Sequence, residues 1–213
     1  MHIALIGATG FVGTALLNEL LQRGHRVTAL ARDPAKLPLR EGLTVVQANA
    51  TDAAQVAQAV RGVDAVASAY NPGWTHPDLH DEFLRGSRAI TAGVKAAGVQ
   101  RLLVVGGAGS LYVAPGVQLV DTPQFPAEWK NGALAAREAL NLLRQESTLQ
   151  WTFLSPAILL EPGERTGTYR LGTESPLMNG DQPGKISVAD LAVAIVDELE
   201  APRHLQQRFT VAY

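Results

Sequence analysis

Three glycines spaced three residues apart carry the clearest chemistry in this sequence, in the run Gly7-Ala8-Thr9-Gly10-Phe11-Val12-Gly13. An apolar run, Ile3-Ala4-Leu5-Ile6, precedes them and an amphipathic segment follows, so a strand, a loop and a helix are expected in series. In that context each glycine has its own task. Gly7 permits a tight turn, Gly10 lets the backbone approach a pyrophosphate, and Gly13 lets the helix pack close to the sheet. The helix N-terminus adds free N–H groups and the positive end of a dipole, so Thr9, Phe11 and Val12 join the glycines as candidate phosphate-binding positions. The plain alternative is a strand-to-helix turn that holds no ligand.

A second signal sits at the end of the next apolar run. Dinucleotide sites that hold a ribose 2′-hydroxyl place an acid there, whereas this chain reads Leu30-Ala31-Arg32-Asp33. Ala31 offers no carboxylate to repel a phosphate, and Arg32 offers a planar, permanently charged fork, with Lys36 nearby. This pattern favours NADP(H) over NAD(H). The competing reading leaves Arg32 in solvent and makes Asp33 the acidic partner. Two later strand ends fall at the same edge: Asn49-Ala50-Thr51-Asp52 beside the expected adenine, and Ser68-Ala69-Tyr70-Asn71 beside the expected nicotinamide ribose. Thr51 and Asp52 read equally well as helix caps.

The elements that must position these residues follow from hydrophobic patterning. Short Val-, Ile- and Leu-rich runs alternate with longer amphipathic segments, the pattern of parallel strands buried on both faces and joined by helices. Strands are expected near 2–6, 26–31, 43–48, 64–69, 101–106, 150–155 and 208–213, and helices near 11–23, 52–61, 79–97, 131–146 and 188–200. Gly24 and Gly98 stand where helix C-caps belong, and Ser187 with Asp190 resembles a capping box. The fold class is therefore α/β: a Rossmann-type doubly wound parallel sheet in the order 3-2-1-4-5-6, helices on both faces, the last strand at the edge, residues 1–213 forming one domain. Segments 107–127 and 156–186 fit no regular pattern. As long loops at the carboxyl edge they are the candidate substrate-pocket walls.

Composition narrows the function. A net charge of −2 with no Lys/Arg run argues against nucleic acid as a partner. The absence of cysteine excludes disulfides and thiolate chemistry and is compatible with a reducing compartment, so a cytoplasmic location is expected. No stretch approaches the roughly 20 apolar residues of a membrane span. The expected partner is a small molecule; the oligomeric state is left open.

With GATGFVG, the Arg32 position, Gly106-Gly107-Ala108-Gly109-Ser110 after the fifth strand and Ser155-Pro156 after the sixth, the chain resembles the atypical short-chain dehydrogenase/reductases related to biliverdin reductase B, in particular bacterial NAD(P)H-flavin reductases. The resemblance runs through VVGGAGSLYVAPG, FPAEWK and the closing RFTVAY. It implies a nicotinamide cofactor contacted by Gly106, Gly107 and Pro156 as well as by the first glycine loop. Its relatives acting on alcohols use a Tyr-x-x-x-Lys pair, in which Lys lowers the Tyr pKa. Here Lys130 has Pro126 at the Tyr position and Trp129 beside it. Hydride transfer to a flavin or quinone-type acceptor asks less of the protein, because water delivers the proton. The family comparison makes Ser110 and Lys130 the candidate catalytic residues, Ser110 reading equally as a turn-capping hydroxyl. Tyr70, His80 and Trp129 are candidate pocket residues, with Trp74 and Phe125 as further aromatic walls. The His that tetrapyrrole-reducing relatives carry after the strand-6 Pro is Ala157 here, against a tetrapyrrole substrate. His76, His80 and their acidic neighbours could be read as a metal site, but an acid-rich helix start accounts for them, and no metal is expected. A rival reading of the whole chain is a non-catalytic NADP(H)-sensing regulator, and a third is a reductase of another small metabolite.

Overall fold

The Ile3–Ile6 run forms an interior strand of the sheet in the computed structural model, which describes all residues from Met1 to Tyr213. Seven parallel strands carry the fold: β1 (His2–Ile6), β2 (Arg26–Ala31), β3 (Leu43–Gln47), β4 (Ala65–Ser68), β5 (Arg101–Val105), β6 (Gln150–Ser155) and β7 (Gln207–Ala212). Five helices connect them: α1 (Phe11–Gln22), α2 (Ala53–Ala59), α3 (Leu79–Ala96), α4 (Ala127–Leu143) and α5 (Val188–Glu200). The parallel order is β3-β2-β1-β4-β5-β6-β7, with the switch between β1 and β4 opening beside the glycine loop.

Both faces of the sheet are covered, which is why its strands read as continuous apolar runs. One face packs on α1 and α5 through Leu16, Leu20, Leu191 and Ile195, and the other on α2, α3 and α4 through Val56, Ile90 and Leu140. The expected helix stops are realised. Gly24 and Gly98 follow α1 and α3 in the left-handed conformation, and each helix closes through paired bonds such as Gly24 N to Leu21 O and His25 N to Leu20 O, both 3.0 Å. No helix is long and apolar enough to cross a membrane.

Three expectations change. β7 is not the edge strand: Arg170–Gly172, from within the 156–186 segment, pairs antiparallel with it and takes the outer position. This strand covers the backbone groups that β7 would otherwise leave open, and Gly172 sits so close that a Cβ there would meet Thr210 Cγ2 at 3.0 Å. α4 begins at Ala127, four residues ahead of the expected start, because Pro126 is its N-cap and the helix runs on from it at once. The two long loops are not without structure. Tyr112–Ala114 pairs with Val117–Gln118, Leu159–Glu161 with Lys185–Ser187, and Met178–Asn179 with Gln182–Pro183. Strands of two or three residues are too short to show a period in sequence.

The 156–186 segment is held by charge. Arg165 donates to both oxygens of the buried Glu19 on α1, at 2.7 and 2.9 Å. Asp190, at the start of α5, accepts from the backbone N–H groups of Thr166 and Gly167 and from the hydroxyls of Thr166 and Tyr213. The capping box is therefore half formed. Ser187 accepts from Asp190 N at 3.0 Å, but the Asp190 carboxylate serves the loop, and Ser187 N donates to Tyr213 Oη at 3.2 Å.

Candidate functional site

The glycine loop is shaped by close approaches. Gly7 has φ +86°, and a Cβ there would stand 2.4 Å from Ala69 O; a Cβ on Gly13 would stand 1.9 Å from Gly7 O. Gly10 differs. Its backbone is extended, at φ −83° and ψ 173°, and the nearest atom to a Cβ there is Gly7 O at 3.4 Å. The two outer glycines bring chain segments together, while the middle one leaves open space over the N-terminus of α1, which no side chain caps. Thr9 and Phe11 are exposed at that terminus, and Val12 packs inward.

Gly7 and Thr9 line a cleft of about 110 Å³ together with Arg32, Asn49, Ala50 and Tyr70. Four strand ends thus converge on one cleft, at the edge where sequence spacing expected a dinucleotide. Ala31 is buried and Arg32 is exposed beyond it. Asp33 does not line the cleft; its carboxylate accepts from Ala35 N at 3.1 Å and caps the turn at Pro34–Lys36. Asn49 Oδ1 accepts from Thr51 N and Thr51 Oγ1 at 3.1 and 3.0 Å, fixing the floor. Asp52 is the cap of α2, and its bonds from Gln55, backbone and side chain, hold its carboxyl below the usual range.

Ser68 is buried, and its Oγ accepts from Tyr70 N at 3.4 Å. The Tyr70 ring fills the notch left by Gly86, where a Cβ would meet it at 2.2 Å, and its hydroxyl donates to Glu82 O at 3.1 Å. Burial, with the charge of Glu82, pushes the Tyr70 phenol up to about 12. Tyr70 therefore stays protonated as a hydrogen-bond donor at ordinary pH.

The remaining candidates stand elsewhere. Gly106 donates its N–H to Leu154 O at 2.8 Å, and a Cβ there would strike the Phe153 ring at 1.9 Å. Gly107 is open, its nearest neighbour the Ala136 methyl at 3.9 Å, and Pro156 is buried beyond β6. Ser110 is buried, with its Oγ accepting from Arg208 at 2.9 Å. Trp129 and Lys130 are exposed on the first turn of α4, and the Trp74 ring lies against Gly132 one turn on. His80 faces Asp81 and, at 3.6 Å, Glu138 of α4, outside the lining of the Arg32 cleft. His76 Nδ1 accepts from Asp78 N, and no cluster of metal-ligating side chains forms.

Asn71, named with the β4 end, lines the Arg32 cleft, whereas sequence reasoning missed Pro72, His76 and Glu82 beside it. Pro72 directly follows Asn71 and was findable at that strand end. His76 and Glu82 come from the turn into α3 and had no local signal. It also missed Arg208, although a charged residue inside an apolar strand is itself a signal.

Residues 7–202 match the family described as NAD(P)H-binding. An uncharacterised Bacillus subtilis protein, YwnB, is 41% identical over 216 residues, covering 99% of this chain and 98% of its own length. A structure described as a candidate epimerase from Bacteroides thetaiotaomicron superposes with a TM-score of 0.93 at 46% identity, covering 100% of this chain and 96% of its own. A candidate NADH-flavin reductase from Streptococcus pneumoniae superposes at 0.85 with 35% identity, covering 100% and 99%.

Proposed function

The chain belongs to the NAD(P)H-binding family, with the atypical short-chain dehydrogenase/reductase type of fold, and on that premise we propose that it is an NADPH-dependent reductase of a flavin- or quinone-type acceptor. One observation carries the reading: Arg32 borders the adenosine-side cleft at the end of β2, with buried Ala31 where a carboxylate would be needed for NAD(H). The cradle fits such a cofactor. Gly10 keeps clear the space that a pyrophosphate needs, and the uncapped first turn of α1 points its N–H groups toward it.

When bound, NADPH supplies the hydride. The chain's own residues bind and orient. Arg32 takes the 2′-phosphate, Asn49 and Ala50 wall the adenine side, and Ser68 and Ala69 border the nicotinamide ribose. On the acceptor side, Gly107 supplies open space near α4, Trp129 an exposed apolar surface, and the segments 107–127 and 156–186 the remaining walls. No residue stands ready as a strong proton donor: Tyr70 is tied to Glu82, and Pro126 occupies the position where a Tyr would pair with Lys130. An acceptor that draws its proton from water suits this arrangement. The likeness to a protein described as a candidate NADH-flavin reductase supports the same class, though its description names NADH.

The experiment is a panel of flavins and quinones offered with NADPH or NADH, followed by nicotinamide absorbance. Turnover with NADPH in excess of NADH supports the assignment. Tight binding of both redox forms without turnover of any acceptor overturns it in favour of a sensor.

A further inference from the structure

A cavity of about 380 Å³, larger than the Arg32 cleft, lies between α3 and α4 above β4 and β5. It marks a seam between two apolar clusters: Ile90 and Leu143 belong to the core under α2 and α3, Phe83 and Ala139 to a small cluster between α3 and α4. The clusters do not merge, because α3 presents Ser87 and Thr91 at the seam. Both hydroxyls donate back to their own helix, to Phe83 O at 2.9 Å and Ser87 O at 3.0 Å, so they line the space without filling it. Protein interiors keep few voids larger than a water, an apolar void of about 150 Å³ already holds benzene, and organic-ligand pockets begin near 300 Å³.

The charges at the mouth are paired unequally. Three charged side chains line the cavity: Arg88, Lys95 and Glu146. Lys95 and Glu146 neutralise each other at 2.7 Å. The carboxylate paired with Arg88, Glu138, stands 3.6 Å away, and both side chains are exposed, so this guanidinium can turn its fork to a guest carboxylate. We propose that this cavity is a binding site for a small aromatic monocarboxylate, its rings among Phe83, Ile90, Val104 and Leu142 and its carboxylate on Arg88. Tyr70 lines both this site and the Arg32 cleft and stands as the wall between them, with Ser68 lining this side at the end of β4, so a guest in one does not occupy the space of the other. The inference does not depend on which acceptor is reduced.

The test is calorimetric titration of the whole chain with 2-naphthoate and its neutral isostere 2-naphthamide, with and without saturating NADPH. The expected result is a 2-naphthoate dissociation constant below about 1 mM, with 2-naphthamide roughly tenfold weaker for want of the charge-assisted pair. Arg88→Gln should erase that difference. Ala92→Trp, at an exposed position on the cavity mouth, should abolish binding of both. Absence of binding, binding unchanged in Ala92→Trp, or displacement of 2-naphthoate by NADPH overturns the proposal. So does light scattering that shows Ala92→Trp converting a dimer to a monomer, because the seam would then belong to a second copy of the chain.

Discussion

Arg208 donates from one guanidinium nitrogen to both the backbone oxygen and the hydroxyl of Ser110, each at 2.9 Å, across 98 residues of sequence. Its other terminal nitrogen meets the Glu174 carboxylate, and its side chain is fully buried. A guanidinium only donates, so Ser110 Oγ is an acceptor toward Arg208 and has one hydrogen left to give elsewhere. The pair joins the turn after β5 to β7 and, through Glu174, to the long 156–186 segment.

Removing Arg208 leaves the buried Ser110 hydroxyl without its partner, while the half-exposed Glu174 keeps its pair with Arg144. Arg208→Met should therefore lower stability by roughly 1 to 3 kcal/mol, the range for leaving a buried polar group unsatisfied, and Arg208→Lys by less. Urea unfolding measures both. A loss below about 0.5 kcal/mol for the Met variant would show that the network contributes no net stability.

Ser110→Ala separates structure from catalysis. If positioning dominates the reaction, kcat with a flavin or quinone should fall by less than about tenfold, while one lost hydrogen bond costs roughly 1 kcal/mol of stability. A thousandfold loss of kcat that follows a titrating group in the pH profile would instead make Ser110 a specific acid.

Cofactor choice rests on Arg32. Arg32→Ala should weaken NADPH binding by roughly 1.5 to 3 kcal/mol, the range for charge-assisted hydrogen bonds, and leave NADH nearly unchanged. Fluorescence titration with each cofactor decides it, and equal losses for both would remove the 2′-phosphate contact from the account.

The glycines should part company on substitution. Gly13→Ala forces a methyl to within 1.9 Å of Gly7 O and should disrupt the loop and destabilise the fold. Gly10→Ala meets nothing closer than 3.4 Å, so the fold should persist while the methyl occupies pyrophosphate space and cofactor affinity drops by roughly tenfold or more. Thermal melts and cofactor titration on the two variants should give opposite patterns; matching patterns would mean that Gly10 serves packing alone.

Acid should loosen the long segment. The hydrogen bond from Arg165 holds the Glu19 carboxyl below its usual value, and against the opposing effect of burial the bonds from Thr166, Tyr213 and Gly167 hold Asp190 below its own. A depressed acid contributes stability that is complete above its unfolded pKa, 4.5 for Glu19 and 3.8 for Asp190, and is lost as pH falls through the folded value. Stability should thus fall below about pH 4, and Asp190→Asn should flatten that decline. Urea midpoints from neutral to acid pH measure it; parallel curves for wild type and variant would exclude Asp190 as a source.

Residue spacing alone was enough for the βαβ start, the parallel strand order, the meeting of Gly7, Arg32, Asn49 and Ala50 at one cleft, and an NAD(P)H-binding domain. Each rests on a local rule: a glycine turn before a helix, a right-handed crossover, a side chain at a strand's carboxyl end. Tertiary structure alone decided the rest. That Ser110 answers to Arg208, that Arg165 and Thr166 are tied to Glu19 and Asp190, that Arg170–Gly172 displaces β7 from the edge, and that Ser87 and Thr91 leave a cavity against α4 are all pairings between distant segments. Such pairings carry no period or spacing in the chain, because they are selected by packing and by the need to satisfy buried polar groups once the sheet has brought the segments together.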